Sequence, residues 1–469
     1  MKKCHIAYLA CTATLLGTGL GAASPAAEPP AHEVHVVHPG QSIQQAVDAA
    51  APGDTVLVAL GTYRESVTVK TPGLTLRGMG RGTVLRPAAA SADSGTSGTS
   101  GTSGTSTAGT GSTATGAAAE AEAATKPAAD PAAQPGAKPA TQPAAQPAAD
   151  PAAQPAAQPG AQPAADPAAQ PAAKPAAQPG AQPAAKPAAE PATAAAAVEG
   201  CAESGNGVCV LGTKEQHVGN VTVANLTVTG FTRSGVYAMA ADNLTVRNVT
   251  AEKNGVWGIA QEGSLHGVFR GNTARDNGDA GLFLANSVKE EMGAVDTGGT
   301  LVERNRLEGN RIGVTVRRLR NLTVAANRLT GNCAAVFVVG DENKPRAGLV
   351  TVTQNRIERN NKSCPKTARL DALQGSGIVL TGAEDSLITH NVIRDNVGAS
   401  PLSGGIVLFK SFVGTPSERN RISDNTLAGN APADLVNADT TGKGNTFESN
   451  ACTASKPDGL CRPADTTRR

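Results

Sequence analysis

Side chains able to bind or move charge are sparse in this chain, and several fall at recurrent positions. A strand of the form Gly-aliphatic-x-aliphatic returns from Gly235 onward, and the residue two after each Gly, or its equivalent, is expected to point outward. Those positions are Tyr237, Ala260, Phe283, Thr315, Phe337, Val379 and Val407. Tyr237, Phe283 and Phe337 therefore share one column, successive members lying two repeats (about 10 Å) apart. In a chain with only 2% aromatic residues, that concentration asks for a reason. Aromatic faces on a shallow groove can stack against sugar rings; the same side chains can equally pack beneath loops. Charged residues gather beside the column: Arg317, Arg318, Lys362, Lys366, Arg369, Asp371, Lys410, Glu262 and Glu384. Abstracting a proton next to a carboxylate needs a cation to neutralise that carboxylate and a base to take the proton. Arg317 or Lys410 with a carboxylate could supply both. The column itself holds no titratable residue except Tyr237, His390 reads as a turn position, and isolated charges on a repeat surface are mostly solvated.

The element that must position these residues is a repeat. Asn recurs at 225, 248, 272, 305, 327, 355, 391 and 425, with tightest spacings of 22 to 24 residues, and from Asn248 onward a second Asn follows five or six residues later. Runs such as Leu244-Thr-Val246 and Leu322-Thr-Val324 alternate apolar and polar residues, the period of a strand with one buried face. Three short strands fill about 22 residues, so each unit reads as one coil of a parallel β solenoid, and eight coils make a rod on the order of 40 Å long. Asn tolerates the left-handed conformation of a sharp turn, and stacked Asn amides can bond from coil to coil. The Gly before each aliphatic pair is expected to let the chain bend. A leucine-rich repeat of this length would need a Leu framework that is missing.

This pattern resembles that of right-handed parallel β-helix proteins, the pectin-lyase-like superfamily, over roughly 34–87 and 201–450. The phrase Pro39-Gly40-Gln-Ser42-Ile43-Gln44, then Gly53-Asp54-Thr55, then Gly61-Thr-Tyr63-Arg-Glu65 resembles the segment that caps the open end of such helices. It predicts a short helix with Ser42 as its cap and Ile43, Ala46 and Val47 as its apolar face. Tyr63 and Glu65 could form a catalytic pair, but a turn and cap contact is the plainer expectation. The resemblance implies an all-β fold and a substrate groove along the Gly-aliphatic strands. Insertions at 361–376 and 397–404 before that strand, and at 286–299, 341–347 and 411–417 after it, would wall such a cleft. No catalytic phrase of the family is visible: neither Asp-Pro-His-Asp, nor paired Asp with Gly-His-Gly, nor Gln…Gln-Asp.

A formal charge of +2 over 469 residues makes no electrostatic case for nucleic acid. Residues 1–27 read as a signal peptide; a lipoprotein reading through Cys11 has too few apolar residues before it, and no later run is long enough for a membrane anchor. Residues 28–87 form the cap and first coils. Residues 88–200 form a Gly/Ser/Thr-rich and then Ala/Pro-rich insert that cannot bury a core and should be disordered. Residues 201–450 carry the repeats, and 451–469 a tail with a disulfide loop. Six cysteines remain outside the signal peptide, an even number that reads as disulfides in an exported chain. Stacking brings Cys333 near Cys364; Cys201–Cys209 and Cys452–Cys461 would each close a small loop. A metal site has no Cys-x-x-Cys or paired-His spacing to support it. These observations point to a secreted or cell-wall-associated monomer binding polysaccharide or cell-envelope glycan along one sheet face, with Tyr237, Phe283, Phe337, Arg317, Arg369, Asp371 and Lys410 as candidate contacts. The alternative is a lyase, epimerase or hydrolase of acidic polysaccharide, with no cofactor expected beyond Ca2+ for lyase chemistry. A third, weaker idea is a metal-handling accessory, since some related repeat proteins serve copper-enzyme maturation; only four Met and seven His argue against it.

Overall fold

The computed structural model describes residues 32–88, 200–367 and 370–461. The expected signal peptide, nearly all of the 88–200 insert, Arg369 and the last eight residues of the tail lie outside them. The strands stack in three long sheets, A, B and C, of twelve, ten and eleven strands. Each coil visits them in that order: Thr245–Arg247 in A, Thr250–Glu252 in B and Trp257–Glu262 in C. Strand pairing is parallel and in register from coil to coil. The result is a right-handed parallel β-helix. At about 4.8 Å per coil, twelve strands span roughly 55 Å. That exceeds the expectation from the Asn repeats, because the early coils at Thr55–Val58 and Thr75–Gly78 join sheet A without carrying the Asn phrase.

Alternation fills the interior. In sheet A the inward column runs Val223, Val246, Phe269, Val302, Val324, Val352, Ile388 and Ile422, all fully buried. Burying each such side chain stabilises the fold by about 1.5–3 kcal/mol, before the entropy of ordering the chain is subtracted.

The turns hold two asparagine ladders. At the A-to-B turn, Asn272, Asn305, Asn327, Asn355, Asn391, Asn425 and Asn450 are all buried. From Asn305 onward each side-chain oxygen accepts the backbone N–H and the side-chain amide of the Asn one coil earlier, while that of Asn272 accepts Val249 N–H. Asn305 Nδ2, for example, lies 3.0 Å from Asn327 Oδ1 and also donates at 2.8 Å to Phe269 O. At the B-to-C turn the members are Asn254, Asn277, Asn310, Asn332, Asn360, Asn396 and Asn430. This second ladder ends on Asp434, whose Oδ1 takes both donors of Asn430 at 3.2 and 2.8 Å. Burial pushes the Asp434 carboxyl up, but hydrogen bonds from Thr453 and Asn430 outweigh it and hold the group below its ordinary value.

Two expectations need correction. Asn225 and Asn248 are not rungs: they sit one position earlier, at φ of 56° and 54°, while Leu226 and Val249 occupy the buried rung positions. They share only the left-handed turn that Asn tolerates. The recurrent Gly, moreover, does not serve a bend with positive φ. A Cβ on Gly258 would lie 2.6 Å from the carbonyl oxygen of Gly281, and one on Gly377 only 2.1 Å from that of Gly405. Lack of room for a side chain between coils selects Gly there.

The N-terminal helix, Ile43–Ala49, caps the first coil with Ser42 at its start and Ile43 and Val47 buried. Glu65 completes the cap, accepting from Ile43 N (2.8 Å) and from Ser42 Oγ (2.9 Å). Tyr63 is buried, its hydroxyl donating to Val37 O and Ala59 O. The pair is structural. Disulfides join Cys201–Cys209, Cys333–Cys364 and Cys452–Cys461.

Candidate functional site

Register places the expected column as the sequence implies. Tyr237 pairs with Ala260, then Phe283, Thr315, Phe337, Val379 and Val407 follow along sheet C. Exposure is where the expectation fails. Phe337, Val379 and Val407 are 1% exposed or less and Phe283 is 8% exposed. They form a second apolar layer outside the sheet, together with Leu373, Leu402 and Cys364 from the loops before the strand. Val288, from the loop after an earlier strand, packs against the same layer. Trp257 stacks on Phe283 with ring centroids 4.3 Å apart. Loops 361–376, 397–404 and 286–299, expected to wall a cleft, instead lie across the sheet and bury Leu373, Leu402 and Val288 on that face, while Phe412 and Val413 of loop 411–417 stay exposed. The carbohydrate readings of sheet C lose their surface.

Several devices hold this roof down. The Cys333–Cys364 disulfide ties loop 361–376 to the start of the strand beneath it. Cys364 and Leu373 exchange backbone hydrogen bonds of 3.0 and 3.1 Å. The buried Arg311 donates to Pro365 O (2.7 Å) and Asp371 O (3.1 Å). On the far side, Arg346 reaches Glu418 (2.9 Å), while Arg320 and Arg419 bind the two oxygens of Glu384 at 2.7 and 2.8 Å. Arg419 also binds Asp385 and, through that hydrogen bond first, lowers its carboxyl below the usual range. These residues clamp loops 341–347 and 411–417; of them the sequence reading singled out only Glu384.

The proposed proton-transfer groups do not meet. Arg317 donates to Ser287 O at 2.7 Å and so braces loop 286–299. Lys410 follows Phe409, which lies three coils, or about 14 Å, from Arg317 along one column. Asp371 is exposed and pairs with the equally exposed Lys366 at 2.8 Å. Tyr237 is half-buried and donates to Glu262 at 2.8 Å, and Glu262 in turn accepts from Val288 N. Burial, and then the Glu262 carboxylate, push the Tyr237 phenol far above its ordinary value, so it cannot serve as a base near neutrality.

An uncovered face lies elsewhere. The strands of sheet B carry seven arginines and three glutamates, with no lysine or aspartate. One outward column reads Arg306, Arg328, Arg356 in three successive coils, paired residue to residue. All three are exposed. Arg306 and Arg356 are each held by the glutamate two residues on, Glu308 and Glu358. Arg328 has Thr330 at that position, and among the described residues no carboxylate within ion-pair distance. Like charges stacked at coil spacing repel, so the column is stabilised by any anion laid along it. Its sequence signal is the triplet Asn-Arg-Leu, Asn-Arg-Leu, Asn-Arg-Ile at 305, 327 and 355, in which the rung residue fixes the next position outward.

A family model described as "Right handed beta helix region" matches residues 197–348, and one described as "Periplasmic copper-binding protein (NosD)" matches 293–456. With the three parallel sheets, the chain has the fold of a right-handed parallel β-helix. Among the described residues no group of three or more His, Cys, Asp or Glu could hold a metal ion, and the six described cysteines are all in disulfides. No curated protein matches the sequence. Among solved structures, the A-module of the Azotobacter vinelandii mannuronan C-5 epimerase AlgE4 is similar at 16% identity and a TM-score of 0.42, over 88% of this chain and 94% of that one. The periplasmic alginate epimerase AlgG is similar at 14% identity and 0.39, over 52% of this chain and 55% of that one, so the match spans about half its length. A DFA-IIIase from Arthrobacter chlorophenolicus A6 without its lid gives 12% and 0.36, over 52% and 66%. At those values none of the three bears on what this chain does.

Proposed function

We propose that the protein is an exported glycan-binding solenoid that holds an acidic polysaccharide against the outer face of sheet B without transforming it. The observation that carries this reading is the in-register column of Arg306, Arg328 and Arg356, exposed and short of carboxylates. Guanidinium groups pair bidentately with carboxylates, and a row of them favours a polyanion over a single small anion. Nucleic acid fits less well, because no aromatic side chain points outward from sheet B to stack on bases. Three disulfides support a compartment outside the reducing cytosol. The roofed face of sheet C, with Arg317 and Tyr237 engaged in local contacts, supports binding rather than turnover.

Titration calorimetry with a polyuronate and with a neutral glucan, each at low and high salt, tests the reading. Binding should be confined to the acidic polymer and weaken as salt rises, and no unsaturated or shortened product should accumulate. Equal binding of the neutral glucan would sink the electrostatic reading; product formation would sink the non-catalytic one.

A further inference from the structure

We infer that the arginine face reads the spacing of anionic groups: the polymer lies parallel to the solenoid axis and presents one anion to each coil. This rests on the sheet-B binding proposed above and adds its direction, footprint and selectivity. Five successive coils each offer one outward arginine on sheet B, namely Arg275, Arg306, Arg328, Arg356 and Arg394. The middle three share one column; Arg275, which Glu252 holds, and Arg394 step across to the neighbouring column, in line with Glu308 and Glu358. The track therefore covers about 19 Å along the axis at about 4.8 Å per step.

Its spacing is set by backbone pairing and not by flexible side chains. Every step is a parallel β-ladder with the Asn rungs of both flanking turns beneath it. A polymer that repeats its charge once per coil can neutralise the row without distorting the protein or itself. One that carries its charge at twice that spacing leaves alternate guanidiniums unmatched.

The acids give the track its side. Glu308 and Glu358 lie two residues further along the strand from Arg306 and Arg356, toward the B-to-C turn. On the opposite side, the A-to-B turn holds Arg304, Ala326 and Gln354 beside those coils, with Arg304 exposed. Over the three middle coils an anionic chain running along that side meets cations and neutral groups, whereas one crossing the coils of Arg306 or Arg356 would meet an arginine and then a glutamate within a single strand. Electrostatics thus selects the axial orientation.

The test uses the full chain and uronate oligosaccharides of two to eight residues, carboxylated on every sugar, beside a polymer carboxylated on alternate sugars and matched in total charge. Affinity should climb with each added sugar and level off near five, and the alternating polymer should bind at least tenfold more weakly. Arg328→Gln should lower affinity for the fully carboxylated pentamer about tenfold. Arg64→Gln, on the same sheet but outside the track, should leave it unchanged, with the thermal melts of both variants superimposable on that of the parent. Equal binding of the alternating polymer, an affinity rising with length without levelling, or an equal loss in Arg64→Gln would overturn the spacing inference while leaving acidic-glycan binding in place. Failure of every acidic ligand to bind would remove both.

Discussion

Sheets B and C are made by the same coils, in the same register, yet their outer faces have opposite characters. Outward positions on sheet C are mostly Phe, Val and Ala, with Tyr237 and Thr315 among them, and loops from both neighbouring turns close over the column. Outward positions on sheet B are mostly Thr, Arg and Glu; the A-to-B turns beside them are tight, with left-handed residues such as Arg304, while the long inserts of the B-to-C turns reach over sheet C. The difference teaches that in a solenoid the long inserts follow the apolar surface. A loop rich in Leu and Val is stable only if it finds a face to bury against, and the face that stays bare is the one whose side chains are better hydrated. Function that needs contact with a large polymer is then left to the bare face.

The largest test of that contrast is truncation under the roof. Phe337→Ala should cost about 3–5 kcal/mol, read as a large fall in the denaturation midpoint, because its cavity is enclosed on both sides. Arg328→Ala on the bare face should stay within about 0.5 kcal/mol of the parent. Similar losses at the two sites would break the comparison. Replacing Cys333 and Cys364 together by Ala should cost about 3 kcal/mol and raise binding of an apolar dye as loop 361–376 lifts from Val379 and Phe337. Unchanged dye binding would show that Arg311 and Leu373 hold the roof without the crosslink. Next in size, Arg328→Glu should weaken polyuronate binding by more than tenfold at low salt, with the gap narrowing at high salt; a loss that ignores salt would mean a misfolded face. The smallest effect lies away from both faces, at the cap. Hydrogen bonds from Glu33 N, His35 and Ala51 N lower the Asp54 carboxyl to about 2. A depressed folded-state value stabilises the cap above the ordinary carboxyl pKa and gives that up as pH falls through about 2. Amide exchange at Ala51 should therefore remain slow to below pH 3 in the parent and become fast in Asp54→Asn, while both sheet faces exchange alike in the two proteins.

Much of the fold was legible because stacking writes itself into a chain as a period. Asn272 to Asn425, the inward Val and Ile columns, and the nearness of Cys333 to Cys364 all follow from coils laid in register. What misled was a residue type serving two positions. Asn248 satisfies a left-handed turn and Asn272 a buried ladder, and nothing local separates them until the register of Val249 against Asn272 is known. The candidate site was less legible for a different reason. Alternation tells which way Phe283 and Phe337 point from their strand, not what lies above them, and a loop 16 residues long leaves no periodic trace of where it lands. Arg306, Arg328 and Arg356 were readable in principle, since each follows a ladder Asn directly, but their significance appears only once the neighbouring sheet is seen to be covered.

The joint at which the long Ala/Pro-rich segment enters has a consequence of its own. The strands before and after it, Thr83–Arg86 and Val208–Leu211, are each hydrogen-bonded to a coil on both sides, in sheets B and C respectively. Neither depends on the other for its place, so the stack is indifferent to the length of chain between them, and loop closure adds only about 0.6 kcal/mol for each doubling of that length. The solenoid is in effect already a two-piece assembly, with residues 32–88 and 200–461 in one stack. Cargo such as a reporter or a second binding module, spliced between Pro87 and Cys201, would be carried without a coil being rebuilt, which makes this a position at which the molecule is open to new parts.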